Sequence, residues 1–199
     1  MDDKVITVNE AIRKYDPKRP YTYADYASWD DDVRCELIDG EIVVMDAPSF
    51  DHQSISMELS RQLANFLYGK TCKVLAAPFD VCLFGLGDED TTVVQPDILV
   101  ICDESLLIDK KRCNGAPDLV IEILSPSNAK HDRERKLNKY INAGVRECWL
   151  VDPVNKNVTV HLNKNKIVSF AFYEGDEVIP VHVLKGCEIS LQDVFIRVL

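Results

Sequence analysis

Residues 118–125 read DLVIEILS, and this short run decides the fold class. It is strongly β-prone, and its apolar residues lie on both faces, as in a central strand buried from two sides. Glu122 stands in the middle of it. Val120 and Leu124 share its face, whereas Ile121 and Ile123 point the other way. A carboxylate set among aliphatic strand residues is costly unless it is paired or binds a cation. A salt bridge to Lys or Arg is one answer, and a metal ion is the other.

One loop upstream, VVQPDILVIC (93–102) is a second strand candidate, with Pro96 marking an edge or a strand start. Asp97 follows that proline. A lone Pro-Asp pair is ordinarily a turn, but adjacent pairing of strands 97–102 and 118–124 sets Asp97 beside Glu122. Two neighbouring carboxylates repel unless a cation lies between them. Magnesium suits an all-oxygen donor set, with water completing its shell.

Downstream, Ser127 or Asn128 caps a helix that runs to about Ala143, with Gly144 as its stop. The helix carries KHDRERKLNKY (130–140), with Leu137, Tyr140 and Ile141 at core spacing. Lys136 is one position off that stripe, so it either reaches back over the sheet or is a solvated helix charge. The next strand is ECWLVD (147–152), followed by a hairpin of Val158–Leu162 and Ile167–Tyr173. A strand near Val178–Val183 and a helical turn near Leu191–Phe195 close the chain.

Upstream, CELIDGEIVVMD (35–46) is a hairpin turning at Asp39-Gly40. Glu36 in it is equally a metal ligand or a surface charge. The segment 52–68 has Ile55, Leu59, Leu63 and Leu67 at helical spacing and stops at Gly69. His52 at its start is a cap-region residue, a proton carrier or a substrate contact. Lys73–Phe84 is a strand candidate. Residues 1–20 form a short helix and a turn through Pro17 and Pro20, and 22–29 a second short helix. Gln95 either bonds substrate or edges the sheet. His131, His161 and His182 show no metal-ligand pattern.

The chain of 199 residues fits one domain, and its 46% hydrophobic and 28% charged content is ordinary for a globular fold. No run is apolar enough to span a membrane, and the charged N-terminus lacks the apolar core of a signal peptide, so a cytoplasmic location is expected. The net charge of −10 argues against nonspecific coating of nucleic acid but agrees with a cation-binding site. The seven cysteines are odd in number and none forms a CxxC pair, so buried, reduced thiols are expected rather than a zinc or disulfide framework.

Pro96-Asp97 followed by Glu122 on the next strand resembles the PD-(D/E)xK nuclease signature. The usual lysine two residues after the acid is replaced by Leu124. One branch of that superfamily carries the lysine on the following helix: the bacterial putative restriction endonuclease family, formerly a domain of unknown function. The chain resembles that family from about Tyr21 to Phe195. The stretches that carry the resemblance are ELIDGEIVVMDAPSFDHQ, VVQPDILVI, PDLVIEILSPSN and DRERKLNKYINAGVRECWLVDP.

The resemblance implies a restriction-endonuclease-like α/β fold: a mixed sheet flanked by helices, with an extra N-terminal hairpin and C-terminal β elements. It would form one domain over 1–199, with 1–20 as an extension. The resemblance carries over Asp97, Glu122, Lys136, Glu36 and His52 as active-site residues. Asp97, Glu122, Glu36 and the Ile123 carbonyl would be donors to Mg2+, or to Mn2+ in its place. Asp118 also matches but is as easily structural. The implied activity is metal-dependent DNA hydrolysis, with a homodimer suited to cutting both strands. The alternatives are an inactive binding or assembly module and a small-phosphoester hydrolase.

Overall fold

A computed structural model describes residues 19–29, 34–108, 110–125 and 132–198. The expected N-terminal helix, the cap at Ser127 or Asn128, and His131 lie outside the described residues. Helix α1 (Tyr23–Ala27) opens the described chain. Strands β1 (Cys35–Ile38) and β2 (Glu41–Val44) form the expected hairpin, and both turn residues have positive φ, Asp39 at 56° and Gly40 at 75°. A side chain at Gly40 would also meet Pro20 Cβ at 2.5 Å, so glycine is required there twice over.

Helix α2 spans Phe50–Leu67, and Ser49 caps it by accepting from the His52 amide. Its buried stripe is the expected one, Ile55, Leu59, Leu63 and Leu67. Each such side chain contributes roughly 2 kcal/mol of burial.

Two stretches that read as single strands each break in two. Residues 73–84 form β3 (Lys73–Ala76) and β4 (Asp80–Cys82), interrupted at Ala77-Pro78. Residues 93–102 form β5 (Val93–Val94) and β6 (Ile98–Ile101), interrupted at Gln95-Pro96. A proline cannot donate to a ladder, and at both prolines the chain leaves one sheet for another.

The remaining elements follow in order. β7 (Leu107–Ile108) and β8 (Arg112–Asn114) precede the central strand β9 (Leu119–Ile123). A π-helical turn at Asp132–Lys136 leads into α3 (Leu137–Ala143), which ends at Gly144 with φ 100°. Strand β10 (Glu147–Asp152) is followed by the hairpin β11 (Asn157–Lys164) and β12 (Ile167–Glu174). A small ladder of β13 (Val178–Pro180) and β14 (Glu188–Ser190) and a final helix α4 (Leu191–Phe195) complete the chain.

The expected mixed sheet flanked by helices is present, and it is joined by a second. One sheet has the order β12-β11-β10-β9-β6-β3, the other β2-β1-β5-β4-β8-β7. In the first, β9 and β10 are parallel and linked through α3, whereas β6 pairs antiparallel with β9. One face of this sheet (Ile98, Val100, Ile121, Trp149) packs under α2. The other face (Leu99, Ile101, Val120, Cys148) packs against Tyr140 of α3 and against Val81 and Val94 of the second sheet.

The thiol expectation needs one correction. Cys72 and Cys102 form a disulfide, while the other five cysteines are buried thiols outside any disulfide. The bridge follows from register: Lys73 pairs with Ile101, so Cys72 and Cys102 are the next opposed positions. A separation of 30 residues left no local spacing signal.

Candidate active site

The two sheets fork where the chain passes between them, and a cleft of about 840 Å³ opens there. Ala76, Ala77 and Pro78 from one crossing and Asp97 from the other line it. The Ala77 amide donates to the Asp97 carbonyl at 3.0 Å and holds the crossings together. The cleft lies beyond the C-terminal end of β9, the usual place for a site in a sheet with parallel strands. It also takes side chains from α2 and from the turn before α3.

Asp97 opens β6 opposite the end of β9, as the paired strands require. Its Oδ2 accepts from the Ile123 amide at 2.7 Å and contacts His52 Nε2 at 3.2 Å. A carboxylate can only accept here, so His52 carries its proton on Nε2 in this contact. Among the described residues, the other ring nitrogen, Nδ1, is buried without a hydrogen-bond partner. His52 is therefore a residue of the first helical turn and a partner of Asp97 at once.

Glu122 is 4% exposed, and its Oε1 accepts from Lys136 Nζ at 3.0 Å and from the Tyr140 hydroxyl. Lys136 is itself 3% exposed, so it is not a solvated helix charge. Its ammonium also meets Glu36 Oε1 at 2.9 Å. Glu36 is buried rather than a surface charge, and it accepts from the Gln95 amide at 2.7 Å. One ammonium thus lies between two buried carboxylates from β1 and β9. The π-helical turn that ends at Lys136 widens the backbone just before α3, a feature common at functional sites.

Burial first, and then the charges of Glu122 and Glu36, hold the Tyr140 phenol well above its usual range. The hydroxyl stays protonated and donates to Glu122. Sequence reading took Tyr140 only as a core residue. Its spacing of four from Lys136, which puts both on one helical face, was the available signal.

Other expectations resolve differently. Gln95 bonds within the fold: its Nε2 donates to the Tyr26 hydroxyl at 3.0 Å and to Asp80 at 2.9 Å. Asp118 is structural, accepting from the Cys102 amide at 2.6 Å and from Arg146. Leu124, where the usual motif has its lysine, is buried. Arg135, next to Lys136, bonds Glu41 and the Ile38 carbonyl. Arg34 and Ser125 line the cleft and were not anticipated.

The charged lining is acidic: Glu36, Asp46, Asp97 and Glu122 against Arg34 and Lys136. Among the described residues, no group of three or more His, Cys, Asp or Glu side chains is arranged to hold a metal. The cleft instead offers the carboxylates of Asp97 and Glu122, with Ile123, whose amide donates to Asp97, also in the lining. One or two carboxylates with water is a donor set that fits magnesium rather than zinc.

The fold and site define a nuclease-like α/β class, and comparison with known proteins agrees. Residues 23–192 match the model of the family Uma2, described as "Putative restriction endonuclease", and the chain belongs to that family. An uncharacterized protein of Synechocystis sp., slr1290, is 30% identical over 131 residues, a match covering 64% of this chain and 65% of that protein. A second, sll1609, is 25% identical over 122 residues, covering 60% and 67%. The chain thus spans about two thirds of the length of these relatives.

A crystal structure from Anabaena variabilis, described as a putative nuclease belonging to DUF820, superposes with a TM-score of 0.72. It is 21% identical, and the match covers 90% of this chain and all of that one. That similarity shows the fold.

Proposed function

We propose that the protein hydrolyses phosphodiester bonds of DNA with magnesium, or manganese in its place. The observation that carries this reading is the convergence of Asp97, Glu122 and Lys136, from two strands and a helical turn, on one cleft. Asp97 and Glu122 would hold the cation, with the Ile123 carbonyl and Glu36 as further oxygen donors. When bound, the cation supplies charge neutralisation and a more acidic water.

The chain's own groups do the remaining work. Lys136, fixed by Glu36 and Glu122, sets a positive charge where negative charge develops on the phosphoryl oxygens. Tyr140 fixes the rotamer of Glu122 by donating to the oxygen that Lys136 also contacts. Asp97 orients His52, whose Nδ1 is the nitrogen left to carry a proton. What matters is where the ammonium sits, not which segment carries it, so Leu124 at the usual lysine position is no obstacle.

A second reading, a non-catalytic module of the same fold, is favoured by one fact: Glu122 Oε1 already accepts from two donors. Cleavage of supercoiled plasmid and of short single- and double-stranded DNA, in magnesium and in chelator, separates the readings. Wild type should cut only with the cation, and Asp97→Ala, Glu122→Ala and Lys136→Ala should each abolish cutting. Undiminished cutting by all three variants, or no cation-dependent cutting by wild type, would end the proposal. A substrate panel that includes small phosphoesters tests whether the acidic lining selects those instead.

A further inference from the structure

The outer edge of the larger sheet is built to pair with itself. Strand β12 is terminal in that sheet, and among the described residues only β11 pairs with it. It is eight residues long, IVSFAFYE. Natural edge strands are blunted by charges, prolines, bulges or brevity. This one has none of these between Ile167 and Tyr173. Its apolar side chains are instead exposed: Ile167 by 77%, Phe170 by 74% and Phe172 by 53%.

The opposite edge of the same sheet makes the contrast. Strand β3 is four residues long, opens with Lys73, and that lysine pairs with Glu104 at 3.2 Å. That edge is short and charged, as a free edge should be.

The charge pattern around β12 names its occupant. Lys166 stands at the hairpin end of β12 and Glu174 at the other, both exposed. A second copy lying antiparallel about Phe170 puts Lys166, next to the first residue of β12, beside the other copy's Glu174. Phe170 then faces its own mate, and Val168 faces Phe172. Both ends are satisfied at once because the strand is complementary to its own reverse.

We infer that β12 is a homodimer interface, in which two six-stranded sheets join edge to edge through a twofold axis normal to the sheet. Opposed residues of an antiparallel pair share a face, so both copies present the same face to the same side. Glu122 is opposite Leu150, Leu150 opposite Thr159, and Thr159 opposite Phe172. Both clefts therefore lie on one face of the joined sheet. Seven strand spacings separate the two glutamates, about 35 Å, close to one turn of B-form duplex. That last consequence rests on the proposed DNA substrate; the interface itself does not.

Sedimentation of the full chain at low salt tests the interface by mass alone, without any activity. Wild type should sediment as two chains and Phe170→Asp as one. K166E and E174K should each self-associate about tenfold more weakly, because each change removes both symmetry-related pairs. An equimolar mixture of these two variants should recover the two-chain species, because each reversed end then meets its complement. These surface changes leave Glu177, which caps the Glu174 amide, in place, so they test the interface even if Phe170→Asp fails to fold. A one-chain wild type, a two-chain species unaffected by the charge reversals, or a mixture that fails to recover it would overturn the proposal. Loss of DNA cleavage with the dimer intact would count against the proposed function and not against this interface.

Discussion

Glu122 and Glu147 sit on neighbouring strands, both buried, both among aliphatic residues, and only one faces a cleft. Glu147 is 0% exposed and accepts from the Trp149 indole at 2.8 Å and the Val183 amide at 2.9 Å, with the His182 ring 3.7 Å away and no Lys or Arg bridge to it among the described residues. Those bonds tie β10 to the segment after β13. Glu122 is held by an ammonium that also holds Glu36, and it lines the cleft with Asp97. A buried carboxylate is therefore no sign of chemistry in itself. The sign is one whose partner is a second charged group at an opening in the fold.

Four experiments would break or sharpen that contrast. The largest effect is expected at Lys136, since Lys136→Met leaves two buried carboxylates without their cation. Denaturant unfolding should show a loss of about 3–5 kcal/mol, partly recovered by adding Glu36→Gln. If Lys136→Met proves neutral, the ammonium does not hold the site together. Glu122→Gln comes next, with DNA cleavage reduced about 10²–10³-fold while the fold is kept.

Glu147→Gln should do the reverse. It should cost about 1–3 kcal/mol in unfolding while cleavage stays near wild type, because Glu147 satisfies structural donors away from the cleft. Should the two glutamine variants behave alike in both assays, the distinction between them fails.

The smallest effect concerns His161, opposite Cys148 on the strand beside β10, whose pKa burial pushes below 6.5. As pH falls through 6.5 the unfolded chain takes up a proton that the folded chain resists. Stability is thus lost toward acid, and the melting temperature of His161→Leu should fall less than that of wild type between pH 7 and 5. A steeper fall in the variant would contradict that sign.

What was legible in the sequence was local. The hairpin at Asp39-Gly40, the stripe of α2 and the central strand around Glu122 depend on neighbours in the chain, and all are present. The pairing of β6 with β9 was expected from their closeness in the chain, and it holds although the connection between them makes β7 and β8 of the other sheet. What stayed hidden depends on distant partners. Pro78 and Pro96 look like ordinary strand punctuation until the second sheet exists to receive the chain. Gln95 looked available to substrate because Tyr26 and Asp80, its actual partners, are far away in sequence. Tyr140 reads as core from its spacing, and only the register of β9 reveals the acid beneath its hydroxyl.

The proposed function needs the acids of this cleft to face a divalent cation. Anomalous scattering from a crystal soaked in manganese is the decisive measurement. A peak is expected against the carboxylates of Asp97 and Glu122, lost in the Asp97→Asn crystal. Manganese bound only elsewhere, or the cleft empty at full soak while Lys136 still grips Glu122, would contradict it.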